Sequence, residues 1–577
     1  MVNYSKKSLL LLALSIIISV LFSYGCANEK STQQTSIDRI SAMPNDPQPY
    51  RMLNWHELSK EFDKYVFDFE LEGEYLPFIW LDDSRRNFDQ TTFGLYTAIG
   101  DVRQGADKNN GEFHEAIGSL GALLSAGLNG IDKTDQDGFN YVKMVQNYFN
   151  SETGWNIMMN NTNPEVAMLG GGYARDWWYD AFPNVLYYAV SDVFPDVERA
   201  DSLLLIIADQ MYKADSTLNG NYHYSFFDYS TMQGVKSHIP LQEDAATAHA
   251  YVLLSAYQKF GDPKYLSGAK SAMDALLSQK ESRFYEVLLP FGAYVAARLN
   301  AEQQAQYDVK QIIDWSFDGT HAKDGRYGWG VIRDKWADYD VSGLVGSWHH
   351  DGGFAFAMNT FDMAWPLVPL VRYAPQYADA VGKWMLNAAN AARLFYPHEI
   401  PDSNQWLPEK KAITRNVIAY EGLKKTNHVP KASVDNATPV AVGDGPLWVE
   451  GQPDESVFSI YGSAHAGIFG AIIRETNVPK ILKLDCLATD FYRNAAYPTY
   501  LIYNPYKTEK TIDYQVAAKE SVKLFDVLSK QELTAEGIHN SIQIPALSSR
   551  LIVEVPADLK IQKKNGQWLA GDVIIAF

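Results

Sequence analysis

Eight stretches of this chain carry apolar residues at helical spacing: 113–127, 177–191, 200–213, 245–260, 264–278, 285–299, 360–373 and 379–396. Breakers divide several neighbours: Phe194-Pro195-Asp196, Gly261-Asp262-Pro263 and Tyr373-Ala374-Pro375. Turns that short send each helix back antiparallel to the one before, so the spacing predicts helical hairpins. No strict repeat recurs from one hairpin to the next, which argues against a TPR-like array. Many such hairpins, interspersed with Trp and Tyr, can close into a toroid.

The period changes twice after residue 400. Residues 400–456 carry Pro401, Pro408, Pro430, Pro439, Pro446 and Pro453 with little helical pattern, which reads as a functional loop or a wrapping segment. Thr499–Tyr503, Val522–Leu528, Ile542–Ile544 and Arg550–Val555 then alternate over short runs bounded by turn residues, the pattern of antiparallel strands. The predicted fold is mainly α, an (α/α) toroid of helical hairpins over 49–478 followed by a C-terminal antiparallel β-sandwich over 479–577.

Composition narrows the function. Among 577 residues, 69 Asp and Glu outnumber 50 Lys and Arg, for a formal net charge of −19. A nucleic-acid footprint needs a basic surface, so a DNA- or RNA-binding role is excluded. Hydrophobic residues at 46% suffice for a large buried core. Aromatic residues reach 13%, and their flat faces suit sugar rings as well as helical cores.

The N-terminus reads as an address. Lys6 and Lys7 precede an apolar run from Leu9 to Phe22, then Ser23-Tyr24-Gly25-Cys26. This resembles a bacterial lipoprotein signal, although Ser23 and Tyr24 depart from its usual residues before Gly-Cys. The resemblance implies a signal peptide over 1–25, a lipid anchor on Cys26, a flexible tether over 26–48 and a place in the bacterial cell envelope. Cys486 is the other cysteine and lies in an apolar stretch, as an inert core thiol would. No Cys/His zinc spacing occurs, and no metal or cofactor is expected. Asp135-Gln136-Asp137-Gly138 imitates part of a calcium loop, but Lys133 stands where the first acid belongs.

Signal, helical hairpins, aromatic-rich helix starts and a terminal β-domain together resemble carbohydrate-active enzymes of the (α/α)-toroid type, among them six-hairpin glycosidases and several polysaccharide lyases. The resemblance is architectural and covers nearly all of the mature chain. It implies a cleft at one end of the inner helices, so polar clusters just before helices are the candidate site. The first runs from Gly170 to Asp180 and offers Asp176 as a catalytic acid, with Arg175, Trp177 and Trp178 to bind sugar. The second, Pro240 to His249, offers Glu243 and Asp244, which equally suit a helix N-terminus. The third, Gly346 to Phe354, sets His349, His350 and Asp351 beside Trp348, with Asn359 a few residues on. Histidine titrates near neutrality and serves as acid or base. The fourth, Ile460 to Gly467, contributes Tyr461 and His465; its spacing is not that of a G-x-S-x-G elbow. Glu421, Asp444, Glu450 and Glu455 are further carboxylates, and Trp80 to Arg86 lines the same cleft or forms a surface ion-pair run.

Three functions compete. A glycoside hydrolase needs a carboxylic acid and a second carboxylate. Asp176, Glu243, Asp244 and Asp351 form that pool, and the resemblance implies inversion. A polysaccharide lyase would use His349, His350, Tyr461 or His465 as base, with Asn359 or Arg175 to stabilise an enolate. A non-catalytic glycan-binding lipoprotein would need the aromatics alone. Hydrolysis of a poly- or oligosaccharide is the first choice.

Overall fold

A computed structural model describes residues 31–100, 115–164, 176–349, 352–426, 433–443, 458–517, 521–533 and 539–577. Its principal helices are α1 Trp55–Val66, α2 Ala116–Leu128, α3 Trp177–Val193, α4 Ala200–Leu218, α5 Ala245–Phe260 and α6 Pro263–Leu277. Then come α7 Leu289–Gln303, α8 Val309–Asp318, α9 Ala357–Tyr373, α10 Ala378–Ala392, α11 Ile460–Ser463 and α12 Gly467–Ile472. The predicted breakers act as read. Gly261 ends α5 in the left-handed region at φ 74°, and the Asp262 side chain accepts from Lys264 N to cap α6, with Pro263 in its first turn.

The toroid closes. Helices α2, α3, α5, α7, α9 and α12 each pack on the next, and α12 returns to α2. Outside this ring, α4 and α6 lie on α5, α8 on α7, α10 on α9, and α1 on α12 and α2. The inner helices are buried almost all round: Ala116 to Ala126 of α2 is buried without a break. Close approach needs small residues. A side chain at Gly121 would run into the His465 ring, and one at Gly467 into Ser125.

A five-stranded antiparallel sheet lies across the starts of α7 and α9. Its strands are β1 Trp329–Val331, β2 Val345–Ser347, β3 Phe354–Phe356, β4 Gly422–Lys424 and β5 Val440–Val442, in the order β5-β4-β3-β2-β1. Two of these strands come from the proline-rich segment, so 400–456 wraps the body where the structure describes it.

The β-domain follows the predicted alternation. Strands β6 Ile473–Glu475, β7 Leu482–Asp485, β8 Thr499–Asn504, β9 Lys510–Gln515, β10 Val522–Asp526, β11 Gln531–Leu533, β12 His539–Ile544 and β13 Ser548–Pro556 build it. Six form a sheet in the order β6-β7-β8-β13-β10-β11, and β9 pairs with β12. Ile502, Ile512, Tyr514, Leu524, Ile542, Ile544 and Ile552 fill the space between the two layers. Helix α10 covers the other face of β8 and β13.

The tether is a correction. From Thr32 onward the segment is part of the body: Thr32 N donates to Leu528 O at 2.7 Å, and Gln34 Nε2 to Pro375 O at 3.1 Å. Ile37, Ile40 and Met43 are buried, so the polar composition concealed a docked apolar triplet. The sheet also begins at Ile473, a few residues before the predicted boundary. Cys26 and the signal lie outside the described residues. Among the described residues no helix is long and apolar enough to cross a membrane.

Candidate functional site

Inner helices α2, α3, α5, α7 and α9 begin at one end of the ring, and their starts hold a concentration of acids. Glu115 precedes α2, Asp176 is the N-cap residue of α3, Asp244 that of α5, and Glu286 stands in the turn before α7. Glu421 adjoins β4, and its carbonyl accepts from Ala357 N at the head of α9 at 2.9 Å. Tyr179, in the first turn of α3, sits among them. Its hydroxyl is held protonated far beyond the usual phenol range, first by burial and then by the charges of Glu115, Glu286, Asp176 and Glu421.

Glu286 is the most distinctive group. Its backbone is left-handed at φ 54°, a conformation that costs an ordinary residue about 1–3 kcal/mol and is kept where the surroundings enforce it. Asp244 Oδ2 accepts from Tyr285 N at 3.1 Å, and the Trp329 indole donates to Glu286 O at 3.3 Å. Asn359 Nδ2 donates to the carboxylate at 2.6 Å. Burial pushes the Glu286 carboxyl up to about 8; Asn359, Tyr285 and Arg326 oppose that rise, and Asp176 adds to it. At neutral pH the group is a carboxylic acid with a proton to give.

Its neighbours are fixed by charge. Asp176 is 1% exposed and accepts from Arg326 Nη2 at 3.0 Å and from the Gln242 amide. Burial raises its carboxyl while Arg326 and Gln242 hold it down. The Arg326 guanidinium lies 4.3 Å from the centre of the Tyr285 ring. On the adjoining wall the Tyr461 hydroxyl donates to Glu421. Burial and then Glu421 raise that phenol far above its ordinary range, so the proton stays on the tyrosine and Glu421 is the acceptor.

The structure thus gathers Asp176, Asn359, Tyr461 and Glu421 from the predicted residues and adds Glu115, Tyr179, Tyr285, Glu286 and Arg326. Others are corrected. Glu243 is buried and committed to ion pairs with His223 at 2.6 Å and Arg283 at 2.7 Å. Asp244 is buried beneath Tyr285, so its role is to hold that turn; burial lifts its carboxyl well above the ordinary value. Trp177 is core, stacked on Tyr222 at 5.5 Å, because α3 turns that face inward. Trp178 is buried against Tyr179, ring centres 4.1 Å apart. His465 is fully buried between Asp362 Oδ1 at 2.7 Å and Ile117 O at 3.2 Å, and it binds nothing from outside. His349 is exposed at the rim against Tyr327, and Trp348 lies half-buried beside it. Asn359 binds Glu286, so its amide is committed to the acid. Arg85 pairs with Asp89 on the surface. Arg175, His350, Asp351, Asp444, Glu450 and Glu455 lie outside the described residues. Cys486 is buried and its thiol pushed up by burial, as an inert core residue is.

The metal reading of the 133–138 loop is also settled by a side chain. The Lys133 ammonium is buried where a cation would lie, 2.7 Å from Asp63 Oδ1, bonded to Gln136 and 3.1 Å from the Phe67 ring centre. Among the described residues no group of three or more His, Cys, Asp or Glu is placed to hold a metal ion.

Fold and site define a six-membered helical toroid with an acid-lined mouth and an appended β-sandwich. No protein-family model and no curated protein matches the sequence. Among solved structures, a GH127 β-L-arabinofuranosidase from Geobacillus stearothermophilus T6 is similar over 91% of this chain and 85% of its own, at 9% identity and a TM-score of 0.37. A second GH127 β-arabinofuranosidase is similar over 92% and 84%, at 11% identity and 0.38. An α-L-rhamnosidase from Dictyoglumus thermophilum is similar over 80% and 47%, at 9% identity and 0.30.

Proposed function

We propose that the protein is a glycoside hydrolase acting on a neutral poly- or oligosaccharide. The observation that carries this is Glu286, a carboxyl raised to about 8 among other carboxylates at the toroid mouth. Glu286 donates its proton to the leaving glycosidic oxygen as the bond to the anomeric carbon breaks. Glu421, hydrogen-bonded by Tyr461, takes a proton from the water that attacks the opposite face of the sugar. That division gives inversion at the anomeric carbon. Arg326 and Asp176 neutralise one another and fix the wall beside the acid.

The same charges weigh against a polysaccharide lyase. An enolate formed from a uronate would face Glu115, Asp176 and Glu421 with Arg326 as the cation beside them. Of the described histidines that such a reaction would use, His349 lies at the rim and His465 in the core.

The test is incubation with neutral and uronate-containing glycans, following new reducing ends and the ultraviolet absorbance of unsaturated uronates together. Reducing ends alone, lost in Glu286→Gln and Glu421→Gln, support hydrolysis, and proton NMR of the first product reads the anomer. Absorbance at the new ends refutes it in favour of elimination. Binding without either signal refutes it in favour of a glycan-binding protein.

The envelope location belongs to the same proposal. With Cys26 lipidated, the six steps to Thr32 span at most about 20 Å, so the body rests close to the lipid surface. Cys26→Ser releasing the protein from detergent-phase extracts supports this; unchanged partitioning refutes it.

A further inference from the structure

Between α8 and β1 the chain forms a short strap that is fastened on every side. Thr320 N donates to Trp329 O, Gly328 N to Thr320 O and Trp348 N to Gly328 O, each at 2.8 Å. Asp324 O accepts from Leu241 N at 3.1 Å, and the Asp324 side chain pairs with Arg283. Gly328 is left-handed at φ 89°, and a side chain there would strike His349. The strap is therefore rigid, and consecutive residues on it do different things.

Arg326 reaches Asp176 at the site. Tyr327, the next residue, is 45% exposed. Its ring stands 5.4 Å from Trp348, 4.8 Å from His349 and 6.3 Å from His321, and His321 lies 5.3 Å from Trp348. His321 is half exposed, and His349 is exposed. These four rings make a preformed aromatic patch, with polar nitrogens and a phenol at its edge, immediately beside a residue that lines the acid-bearing mouth. A patch both apolar on its faces and hydrogen-bonding at its edges suits a sugar ring, whose C–H faces are apolar and whose rim is hydroxyl.

We propose that Tyr327, Trp348, His321 and His349 form an outer sugar-binding subsite that holds units of a glycan beyond the one being cleaved. The proposal rests on the hydrolase reading for its place in the reaction, and it predicts a preference for longer chains. Rigidity matters here because a platform already in position loses little freedom when it binds.

The test uses arabino-, xylo-, manno-, gluco- and galacto-oligosaccharides of two to six units, titrated calorimetrically into Glu286→Gln protein. Tyr327→Ala and His321→Ala are then added singly; both side chains are exposed, and far-ultraviolet dichroism checks the fold. Affinity should rise with chain length, and each variant should weaken the hexamer by about 3- to 10-fold, with a smaller loss for shorter chains. Loss equal at every length, no loss, or no binding by any of these sugars overturns the subsite. Length-dependent binding through Tyr327 without hydrolysis by the wild type keeps the subsite and refutes the catalytic reading. Hydrolysis that ignores Tyr327 and His321 refutes the subsite alone.

Discussion

Glu286→Gln should make the protein less active and, in a pH-dependent way, more stable. The side chain titrates near 4.5 in an unfolded chain and at about 8 in the fold, with burial the main cause. A raised pKa means that the fold holds the proton more tightly than the unfolded chain does. The associated stability is present below pH 4.5 and is lost as pH climbs through 8. At about 1.4 kcal/mol per pH unit, ionising the group in place costs at most about 5 kcal/mol. Glutamine keeps the size and an acceptor for Asn359 but never ionises. Calorimetry should find the variant's Tm unchanged at pH 4 and raised by about 4 °C at pH 9. Equal shifts at both pH values, or a fall at pH 9, would refute the reasoning.

Activity gives an independent reading of the same group. The kcat/KM of the wild type should fall along an alkaline limb near pH 8, and Glu286→Gln should lose roughly 10²- to 10⁴-fold and the limb with it. Neighbouring substitutions should move the limb in opposite directions. Asn359 donates to the carboxylate and favours its ionised form, so Asn359→Ala raises the limb. Asp176 is a like charge that favours the proton, so Asp176→Asn lowers it. Movement of both in one direction sinks the assignment.

Tyr461→Phe removes a donor that favours the charged form of Glu421, so the acidic limb of kcat/KM should move to higher pH, which a pH profile reads directly. Lys133→Met leaves Asp63 buried without its cation and should cost about 3–5 kcal/mol in urea unfolding. Wild-type stability should meanwhile be indifferent to EDTA. Gly121→Ala inserts a methyl against the His465 ring and should destabilise by about 1–3 kcal/mol, measured by the shift in urea midpoint.

The helical ring was legible because its period is long and its breakers are local. Asp176, Asn359 and Tyr461 were legible because each lies near a helix start. Glu286 escapes a sequence reading because its apolar run has helical spacing from 285, which puts the acid inside the helix. Pro290 was the available signal, since proline favours a first helical turn and so places the start near 289. Arg326 had no comparable signal: it sits in an aperiodic strap and meets Asp176 across 150 residues of sequence. His465 misled for the converse reason. Its partner, Asp362, is 103 residues earlier, so nothing local revealed that the ring was already satisfied in the core.

The seam between toroid and β-sandwich shows how the halves come apart. Pro369 in α9 leaves the Trp365 carbonyl without its helical donor, and Thr489 Oγ1 supplies one at 2.8 Å. Asp490 then accepts from Tyr294 at 2.6 Å and from Tyr373 at 3.1 Å, and pairs with Arg372, while Arg298 bonds the Phe491 and Tyr492 carbonyls at 3.1 Å each. Cutting the chain here would strand two arginines and a helical carbonyl in an apolar seam. Helices α7 and α9 therefore take their last partners from a strand-bearing segment more than a hundred residues downstream. Such a molecule should melt in a single calorimetric transition, with its sandwich a keystone for the ring rather than a detachable module.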